Sequence, residues 1–175
     1  MQLITDEYRR LNYEKHVSST GYGTSGQNYA NEILGLCDTL KTRDILDYGC
    51  GKSTLQNCLP FTIKQYDPAI KKYEHDPESA DLVVCTDVLE HIEPDLLDNV
   101  LRHMHSKTNK LLYAAINTQK ALKTLADGRN AHLIVEDIPY WANKLDPYFK
   151  VLSILRQGPD FIYIAEAKKI EKELP

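Results

Sequence analysis

The sequence has no apolar run near the ~18 residues that a membrane-spanning helix needs, and no apolar core of the secretory type follows Met1. Those absences lead us to expect a cytoplasmic protein with no membrane partner. Cysteine is sparse: Cys37, Cys50, Cys58 and Cys85 form no C-x-x-C pair, which favours free thiols over zinc or a disulfide framework. Neither sign of charge dominates, with 21 Lys and Arg against 25 Asp and Glu in mixed order. That argues against an extended nucleic-acid groove and leaves a small molecule, a single nucleotide or an RNA end as partners. No repeat and no low-complexity tract interrupts the 175 residues, a length that suits one domain with a proper core.

What is present centres on Asp44-Ile-Leu-Asp-Tyr-Gly-Cys-Gly-Lys-Ser53. Ile45, Leu46 and Tyr48 read as a short buried strand, and Gly49 and Gly51 as a turn that lets a ligand approach the backbone. The residues after Gly51 would offer free N–H groups at a helix start, and Asp47 would face a ligand's ammonium or hydroxyl. Around this turn the pattern alternates. An amphipathic helix is predicted over 27–40, and strands over 44–48, 61–66, 82–85 and 111–116. Helices are predicted over 54–59, from Pro94 through Met104, and from Asp137. A hairpin of 151–155 and 161–165 turns at Gln157-Gly-Pro-Asp160. The expected fold is therefore α/β, doubly wound, mostly parallel, with a C-terminal antiparallel hairpin strand. We expect an arm or lid over 1–26, the domain over 27–167, and a charged tail over 168–175. In such sheets ligands bind beyond the carboxyl ends of the strands. Asp47–Gly51, Asp67, Thr86–His91 and the long loop 117–132 all follow strand ends.

Asp67 closes the second strand about twenty residues after Asp47, where a carboxylate accepts hydrogen bonds from ribose hydroxyls. Asp-Pro also opens turns, and a dinucleotide site would want a later glycine that Gly-Cys-Gly-Lys-Ser lacks. Ile-Leu-Asp-Tyr-Gly-Cys-Gly, Tyr-Asp-Pro-Ala and Ala-Asp-Leu-Val-Val-Cys-Thr-Asp-Val-Leu-Glu-His-Ile together resemble the class I S-adenosylmethionine-dependent methyltransferases over roughly residues 27–167. The chain also resembles short bacterial and phage methyltransferase-domain proteins that share Asp-Gly-Arg-Asn-Ala-His-Leu. The resemblance implies a Rossmann-like fold and an S-adenosylmethionine site. Gly49 and Gly51 would pass the methionine part, Asp67 would hold the ribose, and Asp47 would orient the turn and the cofactor's amino group. Thr86 and Asp87 complete the cofactor set. Ser53 stands where the family often has a third glycine, a place a helical residue can fill. Only thirteen residues separate Asp67 from Asp81, too few for a strand between two crossovers, so the usual edge strand with its adenine-contacting loop is reduced. His75 and Asp76 are the candidates to replace that contact.

Asp87, Glu90 and His91 would share one face if the segment turns as a helix, a set able to hold a divalent metal. The same spacing reads as a capping box. The pattern also resembles the Glu-x-x-Glu-His of metal-dependent O-methyltransferases, those of ubiquinone biosynthesis and those acting on the 3′-terminal ribose of small RNAs. Asp87 replaces the first glutamate, one methylene shorter, and His132 stands where the latter add a further histidine. The implied metal set is Asp87, Glu90, His91 and His132, with Mn²⁺, Fe²⁺ or Mg²⁺ as the ion. Without a metal, His132 or His91 would act as base, and Arg129 would grip an anionic group of the acceptor. The expected activity is O-methylation of a small sugar- or nucleotide-like acceptor. An S-adenosylmethionine-cleaving enzyme and a non-catalytic binding module are the alternatives.

Overall fold

The computed structural model describes residues 1–169, so the predicted tail lies, from residue 170 onward, outside the described residues. Its elements run α1 (Asp6–Ser18), α2 (Ala30–Leu40), β1 (Ile45–Tyr48), α3 (Thr54–Cys58), β2 (Lys64–Tyr66), β3 (Ala80–Thr86), α4 (Leu97–Lys107), β4 (Thr108–Asn117), α5 (Ile138–Leu145), β5 (Phe149–Gln157) and β6 (Asp160–Ala167). The six strands form one sheet in the order β2-β1-β3-β4-β6-β5. β2, β1, β3 and β4 are parallel, and β6 runs antiparallel to both of its neighbours. The expected architecture is therefore present, including the closing hairpin. Its two-residue turn places Gly158 at φ 62, before Pro159, as a tight hairpin requires.

Strand periodicity builds the two faces. Leu46, Tyr48, Val83, Cys85, Leu112, Ala114 and Ile116 face one way, against Leu97, Leu101 and Met104 of α4 and Trp141 and Leu145 of α5. Ile45, Leu82, Val84, Leu111, Tyr113 and Ala115 face the other way, against Ile33 and Cys37 of α2 and Leu55 of α3. Both faces are covered, which is why β3 and β4 read as continuous apolar runs.

β2 is shorter than the 61–66 predicted. Gln56 donates from Nε2 to the Phe61 carbonyl at 3.0 Å and accepts from the Ile63 N–H at 2.9 Å. Those backbone groups are satisfied by a side chain and do not join the ladder. Residues 67–79 hold neither strand nor helix, and the edge strand is absent among the described residues. Asp76 anchors this short segment to α4, 2.7 Å from His103 Nε2 and 2.7 Å from Lys107 Nζ, while His103 Nδ1 meets the Tyr48 hydroxyl at 2.7 Å.

A third apolar cluster joins Tyr8 and Leu11 of α1 to Tyr22, Leu125 and Ala131. It seats α1 and the 117–132 loop together over the carboxyl ends of the parallel strands. No helix among the described residues is long and apolar enough to cross a membrane.

Candidate functional site

One cavity of about 890 Å³, counting its open mouth, lies at those strand ends. Its wall includes Asp47, Gly49 and Gly51 after β1, Asp67, Pro68 and Ala69 after β2, and Thr86, Asp87, Val88 and His91 after β3. Every cofactor residue named from the sequence borders this one space.

The turn after β1 is held by backbone. Gly49 and Cys50 N–H groups both donate to the Tyr66 carbonyl, at 2.7 and 3.0 Å. Gly49 takes φ 83 and Gly51 φ 50, conformations that favour glycine. A Cβ on Gly49 would strike the Val88 side chain, and one on Gly51 would sit 2.7 Å from the Gly23 carbonyl oxygen. The glycines thus admit neighbouring chain as well as a ligand. The N–H groups expected to be free beyond Gly51 are taken: Lys52 donates to the Gly23 carbonyl and Ser53 to the Cys50 carbonyl, each at 2.8 Å. Ser53 is not helical either, standing left-handed at φ 60 ahead of α3.

The two carboxylates divide their work differently from the expectation. Asp67 accepts from the Gly51 N–H at 3.0 Å and the Ala69 N–H at 2.9 Å, so it is Asp67 that orients the glycine turn. Burial raises its carboxyl, and those N–H groups work against the rise. Asp47 is 2% exposed and borders the cavity, with no hydrogen-bond donor to its carboxylate among the described residues. Burial, with the Asp67 charge adding to it, pushes this carboxyl up to about 7. No protein donor among the described residues competes for this carboxylate at the cavity wall.

Asp87, His91 and His132 form the second centre. One ligand atom from each lies within 4.8 Å of the others. The His91 and His132 Nε2 atoms stand 3.8 and 3.9 Å from the same Asp87 Oδ1. Each ring's Nδ1 faces a backbone carbonyl, Ala131 at 2.7 Å for His91 and Gln119 at 2.5 Å for His132. A carbonyl can only accept, so each Nδ1 carries a proton, and each Nε2 is the ring atom that faces Asp87. Ser25 Oγ donates to Asp87 Oδ2 at 2.6 Å. Burial pushes the Asp87 carboxyl up, but His91, Ser25 and His132 outweigh it and hold it well below the usual carboxylate range. Burial also lowers His132, keeping its ring neutral. Asn130 places His132: its Oδ1 accepts from the His132 and Ala121 N–H groups, both at 3.0 Å.

Glu90 is not in this cluster. Asp87 at φ 59 breaks the helical continuation, and only Leu89–His91 turns, as a short 3-10 segment, so no shared i, i+3, i+4 face forms. Fully buried Glu90 accepts from the Asn117 N–H at 2.7 Å and its backbone carbonyl accepts from Ile134, tying three loops together. No side-chain cap forms there, so the capping-box reading is not met either. Arg129, expected to grip an acceptor, is exposed, pairs with Asp127 at 2.7 Å and does not border the cavity. His75 and Asp76 also stand outside it.

The sequence offered His16 and the Tyr22–Gly26 loop as a lid over the cofactor, but Tyr8 and Asn12 were missed. Tyr8, Asn12 and His16, four apart on α1, all border the cavity. That spacing was a readable signal of one helix face. Tyr22 joins them, its hydroxyl donating to Asn12 Oδ1 at 2.8 Å, while His16 Nδ1 is buried without a partner.

No protein-family model matches this chain, and no curated protein matches it. Solved structures do. The 1,6-didemethyltoxoflavin-N1-methyltransferase of Burkholderia thailandensis, with S-adenosylhomocysteine bound, is similar at TM-score 0.67 and 17% identity, over 97% of this chain and 93% of that one. The magnesium protoporphyrin IX methyltransferase of Synechocystis PCC 6803, with S-adenosylmethionine bound, is similar at TM-score 0.60 and 12% identity, over 96% and 100%. An rRNA methylase of Escherichia coli is similar at TM-score 0.55 and 12% identity, over 94% and 78%. At these identities the likeness speaks for architecture. Strand order, the glycine turn at the end of β1 and the carboxylate at the end of β2 agree with it: the chain has the class I S-adenosylmethionine-dependent methyltransferase fold.

Proposed function

We propose that the chain is an S-adenosylmethionine-dependent methyltransferase that methylates a hydroxyl of a small sugar- or nucleotide-like acceptor, with a divalent ion at Asp87, His91 and His132. The observation that carries this reading is the meeting of two centres in one place: the unpartnered Asp47 carboxylate lies within the cavity that the Asp87–His91 wall encloses.

The residues fit the cofactor. Asp47 offers an anion with no protein partner, suited to an ammonium, and Asp67 keeps lone pairs on both oxygens for the ribose hydroxyls. When bound, S-adenosylmethionine supplies an electrophilic methyl group on a sulfonium. The residues fit a metal as well. One carboxylate and two imidazoles, each oriented through Nδ1 by a backbone carbonyl, form a donor set suited to Mn²⁺ or Fe²⁺. When bound, such an ion would lower the pKa of an acceptor hydroxyl. The chain itself orients the partners and excludes water: α1 and Tyr22 cover the space, and Ser25 fixes Asp87. Proximity and alignment supply much of the rate in such a displacement.

The test is incubation with S-adenosylmethionine, Mn²⁺ and pools of nucleosides, nucleotides and sugars, with mass analysis of both products. S-adenosylhomocysteine formed together with an acceptor 14 Da heavier is the expected result. Consumption of the cofactor without acceptor would identify a cleaving enzyme. No turnover of any kind would leave a binding module.

A further inference from the structure

The missing edge strand leaves the adenine end of the cavity without its usual wall, and something else closes it. The cavity wall also includes Leu3, Ile4, Ile92, Glu93 and Val100, together with Pro68 and Ala69. Leu3 packs on the same core cluster as Val88 and Ile92.

The N-terminal residues are tethered at each step. Asn99 Nδ2 donates to the Gln2 carbonyl at 3.0 Å. The Thr5 N–H and hydroxyl donate to the two oxygens of Glu93 at 2.9 and 2.7 Å. The Tyr8 hydroxyl donates to the His91 carbonyl at 2.5 Å, and the Arg9 guanidinium to the Pro68 carbonyl. These contacts run from the loop after β3 to the loop after β2, so the segment bridges both rims of the gap. Asp76 of the short 67–79 segment is committed to His103 and Lys107 of α4.

We infer that residues 2–9 form the adenine subsite, with Leu3 and Ile4 packing on the base and the Thr5–Glu93 clamp holding them there. The inference rests on the cofactor reading above and adds a chain segment to it. Asp67 fixes the ribose next to Pro68 and Ala69, and a purine extending from that ribose away from Asp47 meets Leu3, Ile4 and Ile92. The base would be buried among aliphatic side chains, a setting that binds a flat aromatic ring by removing apolar surface from water.

Photolabelling with an 8-azidoadenine analogue of S-adenosylhomocysteine, followed by fragment sequencing, tests this on the unaltered protein. Saturable label within residues 1–9 or 92–100 is expected. Label confined to residues 70–79 would overturn the inference while keeping the cofactor reading, and absence of saturable labelling would overturn both. In parallel, the Leu3→Ser/Ile4→Ser variant is compared with wild type by calorimetry, its fold checked by circular dichroism. Affinity for both S-adenosylhomocysteine and adenosine should fall about tenfold or more, as expected when two buried aliphatic contacts are lost. Unchanged affinity for adenosine would overturn the subsite.

Discussion

Asp47→Asn is expected to make the ligand-free protein more stable and the cofactor site nearly useless. The folded-state pKa of Asp47 is raised to about 7 by burial and by the neighbouring Asp67 charge. A carboxyl whose folded pKa lies above its unfolded value binds its proton more tightly in the native state. Stability therefore falls as pH rises from about 4 through 7, and the loss persists above that range. An amide removes the titration. The variant's melting temperature should exceed wild type by about 5 °C at pH 8, for a gain on the order of 2 kcal/mol, and the difference should vanish near pH 4. Binding should move the other way. Losing one partner of a buried ammonium–carboxylate pair costs about 3 kcal/mol or more, so S-adenosylmethionine affinity should drop at least about a hundredfold. Wild-type affinity should itself rise from pH 6 to 8, with proton release on binding that calorimetry in buffers of different ionisation enthalpy would detect. A variant that loses stability, or binds as wild type does, would assign Asp47 to the core instead.

His91→Ala and His132→Ala carry the second large effect. Both Nε2 atoms converge on Asp87, and each ring is held by a carbonyl that arrives from the 117–132 loop. Removing either ring takes one of three ligands from the proposed ion. Mn²⁺ affinity should fall about a hundredfold and methyl transfer by about 10²–10³, with S-adenosylmethionine affinity unchanged within about threefold. A chelator should abolish wild-type transfer, and Mn²⁺ should restore it. Activity indifferent to chelator and to added Mn²⁺ would leave the cluster a hydrogen-bonded wall, with His132, neutral at pH 7, as the base.

What could be read from the chain follows distance along it. The turn at Gly49–Gly51 and the carboxylate at Asp67 are local signals, because strand patterning fixes where each strand ends and the residue just beyond it faces the ligand edge. His132 was named through the family resemblance, and the structure adds that Asn130, two residues away, sets its backbone. Glu90 failed because its expected direction depended on helical continuation, and one left-handed residue, Asp87 at φ 59, turned it into the protein interior. Arg129 failed because Asp127 is the nearer partner. The N–H groups after Gly51 failed because their acceptor, Gly23, comes from a loop almost thirty residues earlier. The wall built by Leu3, Tyr8 and Asn12 was hardest to see, since its fixing points at His91 and Glu93 lie more than eighty residues on. Pairing over such separations leaves no period in the sequence.

Titration of S-adenosylmethionine into the wild-type protein and into Asp67→Ala bears most directly on whether this cavity is a cofactor site. One site per chain is expected in the wild type, with at least about tenfold weaker binding once the carboxylate that anchors Gly51, proposed to hold the ribose, is gone. No heat in the wild type, or equal affinity in the two proteins, would contradict it.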